Sequence, residues 1–211
     1  MSSFPSPSKS PTVIPFQFNP EQITRNLSPQ AAGQKPDKPG SAREEALKTS
    51  GPPLETISLK VVLDASDELE FPEQNLDTLL FGIHPALAAL EMLLYPPSTQ
   101  ILLAEQQTGT AVSQISPGAD QLPLVLFVWG PNRVAPVRVT SFSVTEDFFD
   151  TDLNPIRASV DLGMQVLTYM VLDETSPAHG AYMTYQETKE RLARLYASDS
   201  AAQTTSVVIP F

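Results

Sequence analysis

Apolar and polar side chains alternate without a break from Ile156 to Val166. Ile156, Ala158, Val160, Leu162, Met164 and Val166 fall on one face, and Arg157, Ser159, Asp161, Gly163 and Gln165 on the other. That period of two predicts a half-buried antiparallel strand. Leu54–Asp64 has the same period, with Ile57, Leu59, Val61 and Leu63 facing one way and Thr56, Ser58, Lys60 and Val62 the other. Leu122–Trp129 is nearly all apolar, which suits a strand covered on both faces or a buried helix segment. Its β-branched and aromatic content, and the turn Gly130-Pro131-Asn132 after it, favour the strand.

Between these runs the parity changes. Val137 and Val139 share one face, Phe142 and Val144 the other, so a face switch is expected near Thr140-Ser141. A bulge or sharp bend does this where a sheet curls. Asp150–Pro155 is rich in turn formers and joins this long strand to the alternating one. Ile14–Phe18 reads as a short edge strand, because Pro15 cannot donate to a ladder inside a sheet.

Two stretches carry a helical period. Leu76, Leu79/Leu80, Ile83, Leu87, Leu90 and Leu94 form one apolar stripe. Gly82 and Pro85 interrupt it, which predicts a turn of helix, a kink, and a firm helix over Pro85–Tyr95. Ala181–Ala197 is the second helix, with a stripe of Tyr185, Thr188, Leu192, Leu195 and Tyr196. Its Glu187/Arg191 and Glu190/Arg194 are i,i+4 pairs.

The rest is punctuation. Met1–Pro11 is Ser/Pro-rich and expected to be disordered. Ser28–Pro53 reads as a long loop with one weak helical turn at Arg43–Lys48, suited to a binding or assembly role or to plain disorder. Asp64–Glu73 is an acidic loop, Tyr95–Gln121 a loop around Ile101-Leu102-Leu103, and Asp173–Gly180 a turn region that includes His179. Ser198–Ser206 is a polar linker before the apolar Val207–Phe211. Such a tail can fold back on its own domain or add a strand to a partner's open sheet edge. The expected division is a disordered start over 1–12, one β domain over 13–172 with the mobile loop 28–53, and a helix and tail over 173–211.

Composition narrows the function. Acidic residues number 24 and basic residues 13, a formal charge of −11. No basic stripe offers itself to phosphates, which disfavours nucleic acid and anionic membrane surfaces as partners. No apolar run approaches the ~20 residues of a membrane span. No secretory leader is visible at the start. The absence of cysteine removes disulfides, thiol nucleophiles and thiolate metal sites.

Catalytic signatures are equally thin. His84 and His179 are the only histidines, too few for a His-rich metal site. No Gly-x-Ser-x-Gly elbow or phosphate-cradling glycine loop occurs. Asp64, Asp67, Glu68 and Glu70 lack the spacing and the turn glycine of a calcium loop. Carboxylate pairs such as Glu146/Asp147 and Asp150/Asp152 are what chance supplies in so acidic a chain. Trp129 ends a strand, where packing is the simpler role than stacking on a ligand. The expectation is no enzyme, no cofactor and no metal.

Three motifs in order resemble a known family. They are Phe16-Gln17-Phe18-Asn19-Pro20 followed by Glu21-Gln22-Ile23, then Leu126-Phe127-Val128-Trp129-Gly130 with the strand Val137–Val144, then Phe148-Phe149 with Asn154-Pro155-Ile156-Arg157-Ala158. Together they resemble the tube and baseplate-adaptor proteins of contractile injection systems, the phage-tail-like particles of bacteria. The resemblance implies a mainly β (α+β) fold, an antiparallel barrel or sandwich with a packed helix. It also implies a sixfold ring joining the inner tube to the spike hub. Many members add a LysM-like module, and nothing after residue 170 resembles one. Expected partners are copies of the chain itself, inner tube subunits, the hub and other baseplate components. The expected place is the bacterial cytoplasm during assembly, then the finished particle. Expected interface residues are Phe16, Phe18, Arg138, Arg157, Val208, Ile209 and Phe211. The rival from another class is a monomeric β-sandwich that binds a glycan or other ligand through exposed aromatics.

Overall fold

A computed structural model describes residues 13–30, 50–99, 101–102 and 122–199. It contains strands β1 (Ile23–Ser28), β2 (Leu54–Asp64), β3 (Val125–Val128), β4 (Val134–Phe149) and β5 (Pro155–Val166). The helices among the described residues include α1 (Ser66–Leu69), α2 (Leu76–Phe81), α3 (His84–Glu91) and, after the last strand, α4 (Pro177–Asp199). The strands form one antiparallel sheet in the order β1-β2-β5-β4-β3, so the mainly β class holds.

β2 has the bounds its alternation predicts, and β5 buries Ala158, Val160, Leu162, Met164 and Val166 on the predicted face. In β4, Val137 and Val139 are buried, Thr140 and Ser141 are both exposed, and Phe142 and Val144 are then the better covered positions. The face switch is real. Gly163 on β5 lies against it, and a Cβ there would collide with the Ser141 hydroxyl. Because the Ser141 hydroxyl can turn to another rotamer, Gly163→Ala is expected to cost about 1 kcal/mol. Ser141→Ala in the same chain should restore most of that loss, a non-additivity that thermal unfolding of the two single variants and the double variant would reveal.

Several expectations are corrected. Ile14–Phe18 is irregular chain, and the outer strand is instead β1. The Gln17 side chain supplies what a strand's main chain would have given. Its Nε2 donates to the Asp64 carbonyl at 2.6 Å and its Oε1 accepts the Asp64 N–H at 2.9 Å. The acidic loop contains α1. The second half of the first helical stripe ends at Glu91, with turns to Tyr95. α4 starts at Pro177, so His179 and Gly180 are helical. β3 is covered on one face alone: Phe127 is buried, whereas Leu126 and Val128 are exposed. Met1–Pro11, the turn at Arg43–Lys48 and Val207–Phe211 lie outside the described residues.

The chain divides into two compact units. Unit 1 draws on the described parts of Met1–Ile23, Leu59–Pro123 and Phe142–Leu162, and unit 2 on those of Thr24–Ser58, Leu124–Ser141 and Gly163–Phe211. In unit 1, Leu59, Val61 and Leu63 of β2, Ile83, Leu87 and Leu90 around α3, and Val160 of β5 are buried. Two main-chain bonds fasten the connections there, Ala65 N–H to Ile156 O and Ile83 N–H to Pro155 O, both 2.9 Å. In unit 2, Ile57, Val137, Met164 and Val166 are buried with Ala178, Tyr182 and Tyr185 of α4. The stripe expected on α4 is thus only partly inward, for Leu192, Leu195 and Tyr196 face solvent.

Candidate functional site

In unit 1, two of the sequence motifs meet at Asp64, the last residue of β2. Gln17 clasps its main chain. Arg157 from β5 approaches its carboxylate, Nε to Oδ2 3.6 Å. The carboxylate also accepts the Ser66 N–H at 2.9 Å, and its bonds from Ser66 are the main cause that holds its pKa below the usual carboxylate range. Phe16 and Phe18 flank the clasp, Phe18 exposed. Of the expected interface set, Arg157 thus meets Asp64 directly, and Phe16 and Phe18 sit on either side of the Gln17 that clasps it. Arg138 belongs to unit 2, where its Nη2 donates to Gln165 Oε1 at 3.2 Å. Val208, Ile209 and Phe211 lie outside the described residues.

The β4–β5 hairpin end in unit 1 carries the most exposed aromatic and aliphatic groups of that region. Phe148 is 69% exposed and Leu153 77%, with Phe149 beside them. Both Phe148 (φ 56°) and Leu153 (φ 64°) have left-handed backbone, which costs roughly 1–2 kcal/mol for a residue with a Cβ. Asp150 holds this shape. Its Oδ1 accepts the N–H groups of Asp152 and Asn154, and its Oδ2 accepts Asn154 Nδ2, all at 2.8 Å. These bonds, the Asn154 side chain's first, lower the Asp150 pKa. The hairpin base meets the end of α2, where Ile83 N–H bonds Pro155 O. Along α2, Leu76, Leu79, Leu80 and Phe81 are exposed as well. The part of the apolar stripe that lies on α2 is thus exposed, while Ile83, Leu87 and Leu90 further along it are buried.

Unit 2 is built around one buried carboxylate, Glu55, 4% exposed. Its Oε1 accepts Arg25 Nη2 at 2.5 Å, Arg25 Nε at 2.9 Å and the Tyr185 hydroxyl at 2.9 Å. Lys189 Nζ reaches Oε2 at 2.9 Å. The Tyr185 hydroxyl in turn accepts from Arg25 Nη2, and Lys189 lies 3.9 Å from the Tyr185 ring centre. Burial alone would raise the Glu55 pKa. The bonds from Lys189, Arg25 and Tyr185 outweigh it and leave the net shift downward. Burial and the bond to Glu55 push the Tyr185 phenol up. Arg25 is raised in spite of burial, through its bonds to Glu55. One carboxylate thus ties the outer strand β1 and helix α4 to β2. It shares parity with Ile57, Leu59, Val61 and Leu63, and an acid in step with an apolar face is the signal that could have singled it out.

Trp129 stacks on Phe127 with ring centres 4.8 Å apart and meets Tyr185 edge-on at 5.8 Å. Arg133 lies over the indole. The ring is packing, not an open platform. Among the described residues no group of three or more His, Asp or Glu side chains could hold a metal, and no helix is long and apolar enough to cross a membrane.

Comparison with individually characterised proteins gives no match. The family model for contractile injection system tube proteins matches residues 2–169, the stretch that holds the Asp64 clasp, the strained hairpin and the whole sheet. The chain belongs to the contractile injection system tube protein family, a family of structural tube proteins.

Proposed function

We propose that the chain is a ring-forming structural subunit, six copies of which connect the inner tube of a contractile injection particle to its baseplate and spike hub. The observation that carries this is the hairpin end. Phe148 and Leu153 are held outward, on left-handed backbone that the Asp150 bonds fix in a single shape. Exposed apolar groups on a rigid frame, with the apolar face of α2 beside them, mark a protein contact. A head-to-tail contact between such subunits closes into a ring when the rotation allows. Phe16, Phe18 and Arg157 then belong to one contact and Arg138 to another. The tube-like domain spans 13–172, in keeping with a family match that ends at 169, and 173–211 is an added helix and tail. Inner tube subunits, the hub and other baseplate components are the partners, met during assembly in the bacterial cytoplasm.

A monomeric glycan-binding sandwich is less favoured, because Trp129 is engaged by Phe127, Tyr185 and Arg133. Native mass spectrometry of the purified chain, alone and mixed with tube and hub proteins of the same particle, tests the assignment. A sixfold mass, or a ring formed on adding either partner, is expected. A chain that stays monomeric with both would overturn it.

A further inference from the structure

Among the described residues no strand pairs with the outer edge of β3, and the orientation of that edge follows from one proline. Pro136 sits inside β4, and its carbonyl accepts the Leu167 N–H at 2.9 Å, so the main chain of residue 136 faces away from β3. Strand residues alternate in the side to which their N–H and C=O point. Ala135 and Val137 therefore face β3, opposite Phe127 and Val125 in the antiparallel register. The bond from Trp129 N–H to Arg133 O continues the same set. It follows that Leu126 and Val128 turn their N–H and C=O groups outward, away from β4. Their side chains are exposed too, at 46% and 59%, and so are those of Leu122 and Leu124 before them. An outer strand with open main-chain groups and exposed aliphatic side chains is the kind that proteins cover.

The helix next to this edge leads to a segment that fits it. Tyr185 of α4 lies on Trp129 at the end of β3, and Arg191 Nη2 donates to Asn132 Oδ1 in the turn beyond at 3.3 Å. Asp199 is eight residues further, about 12 Å along a helix. The helix thus carries its far end past the β3–β4 turn. Seven residues, 200–206, separate it from Val207-Val208-Ile209-Pro210-Phe211. Fully extended, the path from Asp199 to Val207 covers about 28 Å. To reach Leu126 of the same chain, the segment would first have to retrace the last turns of α4 and then run back beside β3. A neighbouring copy's β3 places no such demand. Val207–Ile209 is β-branched and apolar, and Pro210 suits an added outer strand, which need not donate on its far side.

We propose that Val207–Phe211 of one subunit adds as a strand to the outer edge of β3 in the next subunit, pairing with the outward groups of Leu126 and Val128. The proposal rests on the ring assignment above and specifies one of its contacts.

The chain has no cysteine, which makes a cross-linking test clean. Leu126→Cys and Ile209→Cys are made separately in the full chain, mixed under assembly conditions with the tube and hub proteins, and treated with a short bismaleimide. Linked dimers in the mixture, absent from either variant alone, are expected. Removing 207–211 should raise the assembly midpoint concentration about tenfold or more. Leu126→Pro, which removes an outward N–H and the exposed leucyl group but none of the bonds to β4, should do the same with circular dichroism unchanged, and combining the two changes should add little. Linking confined to a chain carrying both cysteines would place the tail on its own β3 and overturn the proposal. A ring of unchanged mass and midpoint after removal of 207–211, with no cross-link, would overturn it while leaving the ring intact. A wild-type chain that stays monomeric with tube and hub would remove the ring and the proposal together.

Discussion

Glu55→Ala is expected to destabilise the protein by about 3 kcal/mol, lowering the melting temperature by roughly 6–12 °C for a chain of this size. The substitution removes the common acceptor of Arg25, Tyr185 and Lys189. The side chains of Arg25 and Lys189 are 32% and 34% exposed, so each can turn partly to water, which keeps the loss at the lower end for a broken buried pair. The Tyr185 hydroxyl is more deeply placed and keeps only Arg25 as a partner. Glu55→Gln preserves shape and should cost less, about 1–2 kcal/mol.

The two Glu55 variants also separate charge from packing through pH. The Glu55 pKa is lowered by folding, so its contribution is complete above the ordinary glutamate value and is lost as pH falls toward the folded value. The melting-temperature gap between the wild type and Glu55→Gln should be constant from neutral pH down to about 5. It should then shrink as pH drops below the usual glutamate range. A gap that held steady to pH 3 would mean that the ionised carboxylate is not what joins β1 and α4 to β2.

What the sequence discloses here is what a single element decides by itself. The alternations of β2 and β5 need no knowledge of neighbours, and the parity change at Thr140-Ser141 belongs to one strand, so all three are legible. Features that depend on a distant partner are not. The groups on Glu55 come from positions 30, 130 and 134 residues away. The segment Ile14–Phe18 looks like a strand because an amide side chain that replaces ladder bonds leaves no trace in parity. The apolar run Leu122–Trp129 suggests cover on both faces, yet among the described residues β3 is covered on one, because an apolar run does not by itself say how many faces of a strand are covered. The start of α4 was within reach: Ser176 accepts the His179 N–H and Pro177 opens the helix, a serine cap followed by a first-turn proline.

Gly82→Ala carries the other large expected effect, and it acts where helices and sheet are joined in unit 1. Gly82 closes α2 with its N–H on the Thr78 carbonyl, at φ 57° and ψ −136°, a region that glycine alone enters without strain. A Cβ at that position would fall on the Pro155 carbonyl oxygen, the atom that accepts the Ile83 N–H at 2.9 Å. The obstacle is main chain at the first residue of β5, so no side-chain rotation relieves it. Either the tie from Ile83 to Pro155 breaks, or the backbone moves and takes α3, with buried Leu87 and Leu90, away from its place. Strain and overpacking together predict a loss of about 3–5 kcal/mol. Thermal unfolding should show a fall in melting temperature of roughly 10 °C or more. Gly180→Ala is the control. A Cβ at Gly180 meets nothing within 4 Å, and the residue lies inside α4, where alanine is the better helix former. It should leave stability unchanged or raise it by up to about 1 kcal/mol. Equal melting temperatures for the two variants would show that Gly82 does not clamp α2 and α3 to the start of β5. The exposed apolar groups of α2, and the hairpin beside them, would then lose the rigid mount that the proposed assembly contact requires.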